Sequence, residues 1–190
     1  MVKLGFIVEG ATEKIILEKS DFFDYLRSLK IDYVSKIEDA EGNGNLLPHN
    51  ILEHSKILVD KGATHIFILT DLDKDKCITE TKNRISASEN RAVVISVKEI
   101  ESWYLADSSA MGSFLKDSSY YCDSPESIID PFTEIKNRRL AKINRGIDDK
   151  VILAKLIVKN NGFSILKAAE HPNCNSAKYF LKKIKELTTL

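Results

Sequence analysis

Residues 65–75 read HIFILTDLDKD. Ile66, Phe67, Ile68 and Leu69 form an apolar run that leads straight into Asp71, Asp73 and Asp75 on alternate residues. A short run rich in β-branched and aromatic residues, bounded by turn-forming Asp, predicts a buried strand. A strand buried on both faces belongs to a parallel α/β sheet, whose ligands bind beyond the carboxyl ends of its strands. Asp71, Asp73 and Asp75 stand at that end. Crowded carboxylates repel one another unless a cation lies between them, and hard Mg²⁺ suits oxygen ligands. A solvated acidic turn is the simpler reading of the same residues.

Two more strand ends carry acids. Lys3–Gly10, KLGFIVEG, is apolar at Leu4, Phe6, Ile7 and Val8, and places Glu9 at its end. Arg91–Val97, RAVVISV, delivers Lys98, Glu99 and Glu101 just past its end. Between these strands the pattern predicts a helix from an N-cap at Thr12 to Lys30, an edge strand over Ile31–Ile37, a polar loop over Glu38–Asn45, and helices over Pro48–Lys61 and Cys77–Ser88. Strand and helix alternate throughout. The expected fold is therefore a four-stranded parallel Rossmann-like sheet flanked by helices, with right-handed crossovers. One acidic strand end is ordinary. Three on one sheet edge cost stability by mutual repulsion, and they favour a divalent metal site, Mg²⁺ or Mn²⁺. Gly10–Lys14 lacks the second glycine and the GK[ST] ending of a nucleotide phosphate loop.

Ser108–Pro131 is richer in Ser, Asp, Tyr and Pro and gives the weakest pattern. Helices are expected over 131–144, 149–160, 162–169 and 176–187, with Asp148 capping the second and Ser176 the last. The chain thus divides into an α/β unit, residues 1–107, and a mostly helical extension, residues 108–190, packed on it. Trp103 is expected to pack between the two, and Tyr104 to sit in the core.

A hydrophobic fraction of 43% supports a real core, and a charged fraction of 29% a soluble surface. No apolar run approaches the length of a membrane span, and no signal peptide is recognisable. Three scattered cysteines, Cys77, Cys122 and Cys174, form neither a disulfide frame nor a zinc site, so a reducing cytoplasm is expected. The net charge of zero hides an asymmetry: Thr133–Leu190 holds 13 Lys and Arg against 5 Asp and Glu, a balance of +8, and the remainder balances it at −8. An acidic half that holds metal and a basic half that meets phosphate would divide this way. Lys136, Arg138, Arg139, Lys142 and Arg145 form the densest basic run. They are candidates for nucleic-acid contact, and a solvated helix face is the alternative.

The stretches FIVEGATEK and ILTDLDKD, with a Glu ending the first strand before a Gly and a DxD ending a later one, resemble the TOPRIM domain. That domain is shared by topoisomerases, DnaG-type primases, and OLD-type and ribonuclease M5-type nucleases. The likeness spans residues 1–107 and is greatest to small bacterial TOPRIM-like proteins that pair VEGxTE and DxD with a stretch like EIESWYLAD, here Glu99–Asp107. HPNCNSAKYF, His171–Phe180, is similar to a motif in their helical ends. The resemblance implies Mg²⁺-dependent phosphodiester hydrolysis of nucleic acid, with bacterial defence as an implied setting. Asp71 and Asp73 would hold the metal, and Glu9 would serve as general acid/base or further ligand. Glu101 is a candidate further ligand, Glu99 a weaker one, and Lys98 a candidate for neutralising charge on the phosphate. No tyrosine stands out as a topoisomerase nucleophile, so simple cleavage is expected. The rival is a non-catalytic metal- and nucleic-acid-binding module working with a partner ATPase. A phosphatase of the haloacid dehalogenase class ranks lower, because it needs the DxD on the first strand.

Overall fold

The computed structural model describes residues 2–73, 75, 77–85, 88 and 90–189. The chain runs from β1 (Lys3–Val8) through α1 (Ala11–Lys19) and α2 (Phe22–Ser28) to two short strands, β2 (Asp32–Tyr33) and β3 (Glu38–Asp39). The helix α3 (Pro48–Asp60) leads to β4 (His65–Asp71), and α4 (Ile78–Ile85) leads to β5 (Arg91–Ser96). Then follow α5 (Glu101–Ala106), α6 (Ser108–Leu115), α7 (Pro131–Ile143), α8 (Lys150–Lys155) with a π-helical continuation over Leu156–Asn160, α9 (Ile165–Glu170) and α10 (Asn175–Glu186).

The protein is α/β, with a parallel sheet flanked by helices. The strand order is β2-β1-β4-β5, β3 pairs with β1 as well, and every pairing is parallel. The chain fills one side of β1 first and then the other. The order therefore reverses between β1 and β4, where open α/β sheets bind their ligands. The register sets Val8 opposite Leu69 and Asp71 opposite Ser96, which brings the ends of β1, β4 and β5 together.

Among the described residues the sheet has five strands, where four were expected. The difference lies at the edge. Lys3 and Leu4 pair with Asp32 and Tyr33, while Ile7 and Val8 pair with Glu38 and Asp39. Between these pairs β1 advances by Gly5 and Phe6, but the edge chain spends Val34–Ile37. The two extra residues bulge and split the edge strand. Val34 and Ile37 are buried by the detour.

Leu4, Phe6, Val8, Phe67, Leu69 and Val94 face the larger core, which α1, α2 and the helices after β5 complete. Ile7, Ile66, Ile68, Val93 and Ile95 face a smaller one, closed by α3 and α4. Gly5 permits the α3 contact: a Cβ there would lie 3.0 Å from Leu58 Cδ1 and 3.2 Å from the Ala63 Cβ. The larger core crosses from the sheet into the C-terminal helices without a break. Phe180 of α10 lies 5.2 Å from the Phe22 ring, 5.8 Å from Phe67 and 5.8 Å from Trp103. Trp103 and Tyr104 are fully buried, as expected.

Several expected boundaries move. The first helix breaks at Ser20 and Asp21, where the Ser20 hydroxyl accepts from the Phe22 N–H (3.2 Å) and Asp21 accepts from the Ser164 hydroxyl (2.6 Å). Asp149, not Asp148, caps α8 by accepting from the Ile152 N–H at 2.7 Å, because Asp148 pairs with Lys136. Ser176 does not cap the last helix. Glu126 does, accepting from the Asn175 and Ser176 N–H groups at 2.9 and 2.8 Å. The expected end of the fourth helix at Ser86–Ser88 falls partly on residues outside those described. Among the described residues no helix is long and apolar enough to cross a membrane.

Candidate functional site

Glu9 is fixed where β1 stops. Its N–H donates to the Leu69 carbonyl (3.0 Å), and its own carbonyl accepts from Gly42 N–H (2.8 Å). Its Oε2 accepts from the Thr70 hydroxyl (2.6 Å) and from the Asp71 N–H (3.0 Å), so the carboxylate ties β1 to β4 across the switch point. Asp71, the last residue of β4, is buried and accepts from the Ser96 hydroxyl of β5. Glu13, in the first turn of α1, is also buried and folds back to accept from the Gly10 N–H at 3.0 Å. Glu101 opens α5 with 0% exposure, and neither of its oxygens has a hydrogen bond. The Lys150 ammonium of α8 lies 2.9 Å from Glu99 Oε1 and 3.6 Å from Glu101 Oε2.

Glu13, Asp71 and Glu101 hold protons unusually tightly. Burial pushes Glu13 up to about 8, with Glu9 and Glu101 adding repulsion. Burial, then Glu13 and Glu101, raise Asp71 well above the ordinary carboxylate range, against the hydrogen bond from Ser96. Burial raises Glu101 to about 7 in spite of Lys150. The Tyr104 hydroxyl, buried without a partner, is raised by burial and then by the same three acids. Burial alone would lower the Lys150 ammonium, but Glu101 and Glu99 outweigh it and raise it. One ammonium thus serves a set of acids that otherwise needs protons or a further cation.

A cleft of about 810 Å³ opens beside these acids, lined by Asn43, Asp73, Asp75, Lys98, Glu99 and Asp130. Asp73 and Lys98 both adopt left-handed backbone conformations, φ 50° and 64°, which cost a non-glycine residue on the order of 1 kcal/mol. The Asp73 N–H donates to the Lys98 carbonyl at 2.7 Å and holds the two turns together. Asn43 donates to Asp73 at 3.2 Å. Thr81 and Arg84 donate to Asp75 at 2.8 and 3.2 Å, tying it to α4.

The structure therefore gathers Glu9, Asp71 and Glu101 with Glu13, and sets Asp73 and Lys98 on the adjoining cleft. An all-carboxylate oxygen set with unpartnered buried oxygens on Glu101 fits a hard cation such as Mg²⁺ or Mn²⁺. Among the described residues no three His, Cys, Asp or Glu side chains converge on one point as they stand. Ligation would need these side chains to turn toward a common centre.

The basic run is unevenly engaged. Lys136 pairs with Asp148, Arg138 with Glu134 (2.6 Å) and Lys142 with Asp117 (2.7 Å). Arg139 and Arg145 have no acidic partner among the described residues. They flank one groove with Ile152 and Leu156. Arg139 stacks over Phe114 at 4.3 Å and leaves Nε and Nη1 unpaired.

Sequence reasoning passed over Glu13 and Lys150. Glu13 was visible as the last acid of VEGATE, but an acid in a helix's first turn reads as ordinary capping. Lys150 carries no local signal, since a lysine beside a helix start reads as solvated surface.

A family model described as a domain of unknown function, DUF4276, matches residues 8–185. The match runs from the end of β1 into α10 and takes in every acid of the cluster and Lys150. No curated protein and no solved structure matches the chain significantly.

Proposed function

The chain belongs to the DUF4276 family, whose description assigns no activity, and from the site's own chemistry we propose that it is a Mg²⁺- or Mn²⁺-dependent nuclease, a hydrolase of phosphodiester bonds in nucleic acid of TOPRIM type. The observation that carries this reading is Glu101: fully buried, without a hydrogen bond, and set beside Asp71 and Glu13 at the switch point of a parallel sheet. With no hydrogen bond from the described residues and only the Lys150 ammonium 3.6 Å from one oxygen, a carboxylate buried here costs stability, and a bound cation would offset that cost.

Glu9, Asp71 and Glu101 would hold the ion, with Asp73 reaching in from the cleft. A bound divalent cation would supply Lewis-acid stabilisation of the phosphodiester and a more acidic water. Glu9 is held by donors from Thr70 and Asp71, which suits a fixed ligand better than a proton carrier. Glu13, pushed up to about 8, is protonated near neutral pH and suits the return of a proton to the leaving oxygen. Lys98 lines the cleft where the phosphate would enter. Arg139 and Arg145, which have no acidic partner among the described residues, would take phosphates further along the strand.

The test has two stages. Calorimetric titration with Mg²⁺ and Mn²⁺ should show binding to the wild type and loss of at least 10-fold in affinity in Asp71→Asn. Incubation with single- and double-stranded DNA and RNA should then give metal-dependent cleavage, lost by at least 100-fold in Asp71→Asn and in Glu13→Gln. Metal and nucleic-acid binding without turnover on any substrate would favour a binding module. No metal binding by the folded wild type would defeat the proposal.

A further inference from the structure

Lys150 forms the only salt bridges to the clustered acids among the described residues. It comes from the helical part of the chain, not from the sheet. Asp149 caps α8 and so fixes Lys150 at that helix's first position. The helix α8 packs along α1, which carries Glu13. The ammonium is thus delivered from a helix that packs on α1, to a point within reach of both Glu99 and Glu101.

Three carboxylate oxygens remain without a hydrogen bond around it: Glu99 Oε2 and both oxygens of Glu101. Glu101 also acts electrostatically on Asp71 and Glu13. It therefore links the Lys150 pair to the Glu9, Glu13 and Asp71 group, whose Asp71 also acts on the ammonium, though less than Glu101 and Glu99 do. A divalent ion placed between Glu99 and Glu101 would have to expel the ammonium or sit against it, and two like charges in a poorly solvated site repel strongly. A divalent ion on the Asp71 side meets a weaker obstacle, since Asp71 acts on the ammonium less than Glu101 and Glu99 do.

Resting on the metal reading above, we propose that the Lys150 ammonium occupies the place a second divalent cation would take, so that the protein binds one Mg²⁺ or Mn²⁺ per chain and carries its second positive charge as a side chain. Two-metal phosphodiesterases flank the reacting phosphate with two cations. Here one of those charges is permanent and independent of metal concentration. Lys150 uses one N–H on Glu99, which leaves donors for a non-bridging phosphate oxygen.

The experiment is a count of bound Mn²⁺, by calorimetry and by electron paramagnetic resonance of free ion, on full-length protein without nucleic acid. The wild type and Lys150→Arg should each bind one ion. Lys150→Met, which removes the charge and keeps the volume, should bind two, the second with an affinity within about 100-fold of the first. Two ions on the wild type, or a single ion on folded Lys150→Met, overturns the proposal and leaves the nuclease reading standing. No ion on the wild type overturns both. Should Lys150→Met not fold, the wild-type and Lys150→Arg counts decide: one ion supports the assignment and two overturn it.

Discussion

At the scale of single residues the buried acids make a prediction about pH. Glu101 and Glu13 titrate at about 7 and about 8 in the folded chain, against an unfolded value near 4.5. The folded state therefore binds more protons than the unfolded state across this window, and stability falls as pH rises. Below about 4.5 both states are protonated and the slope vanishes; above about 8 both are ionised and the loss is complete. In EDTA, melting temperature should fall steadily from pH 5 to pH 8, and millimolar Mg²⁺ should flatten the curve. A melting temperature that rises through this window in EDTA would count against the cluster. Glu101→Gln removes one of these charges. At about 1.4 kcal/mol per unit of displacement, and roughly 2–4 °C per kcal/mol in a chain of this length, it should raise the metal-free melting temperature at pH 8 by about 5 °C or more. The same substitution should weaken Mn²⁺ binding at least 10-fold, so one variant gains stability and loses the ion.

At the scale of elements, α7 and α10 make separable predictions. Lys136, Arg138 and Lys142 of α7 already face carboxylates, whereas Arg139 and the following Arg145 have no such partner among the described residues. Charge reversal at Arg139 and Arg145 together should weaken oligonucleotide binding at least 10-fold in fluorescence anisotropy and flatten its salt dependence by about two phosphate contacts. Lys142→Ala should change affinity less than about threefold; equal effects from both would mean that the paired residues also contact phosphate. The start of α10 is held by Glu126, and Ser176 there accepts from the Trp103 indole N–H at 2.7 Å and donates to Glu126 at 2.5 Å. Ser176→Ala leaves a buried indole N–H without its acceptor, at a cost of about 1–3 kcal/mol, and should lower the melting temperature by roughly 3–10 °C. The elements were legible to different degrees for a physical reason. Strands β1, β4 and β5 announce themselves because parallel strands are apolar on both faces. The edge was legible only as one strand over Ile31–Ile37, because the alternation does not show the bulge that splits it and carries its second half into Glu38–Asp39. The break at Ser20–Asp21 and the π-helical run after α8 were equally silent, since both are settled by tertiary contacts. Glu9, Asp71 and Glu101 could be read from strand ends. Glu13 and Lys150 could not, because only the packing of α1 on β1 and of α8 on α1 brings two ordinary helix-start residues to the acids.

At the scale of the whole molecule the question is whether residues 1–107 stand alone. The sequence divides there by composition, but the packing does not. Phe22, Phe67 and Trp103 of the first part pack their rings against Phe180 of the second, within one continuous core. Asp107 itself accepts from the Ser164 N–H at 3.0 Å, and Asp21 from the Ser164 hydroxyl. A chain ending at Asp107 would uncover the part of the larger core that α10 and its neighbours close over β5, Phe67 and Trp103, an apolar surface beyond what a soluble monomer leaves open. It would also lose Lys150, and with it the ion pairs to Glu99 and Glu101. Residues 1–107 expressed alone should therefore show no cooperative thermal transition and no dispersed amide spectrum, and co-expression with residues 108–190 should restore both. A folded, cooperative 1–107 fragment would show instead that the α/β unit carries its own core. In that case the helices would be an accessory to the site, and Glu99 and Glu101 would have to tolerate their charge without Lys150. The two outcomes bear on chemistry as much as on folding. If the fragment cannot fold, the acids and the cation that offsets them exist only together, so metal binding and folding of the C-terminal helices should be coupled. Mn²⁺ should then raise the melting temperature of the intact chain and of the reassembled halves by similar amounts.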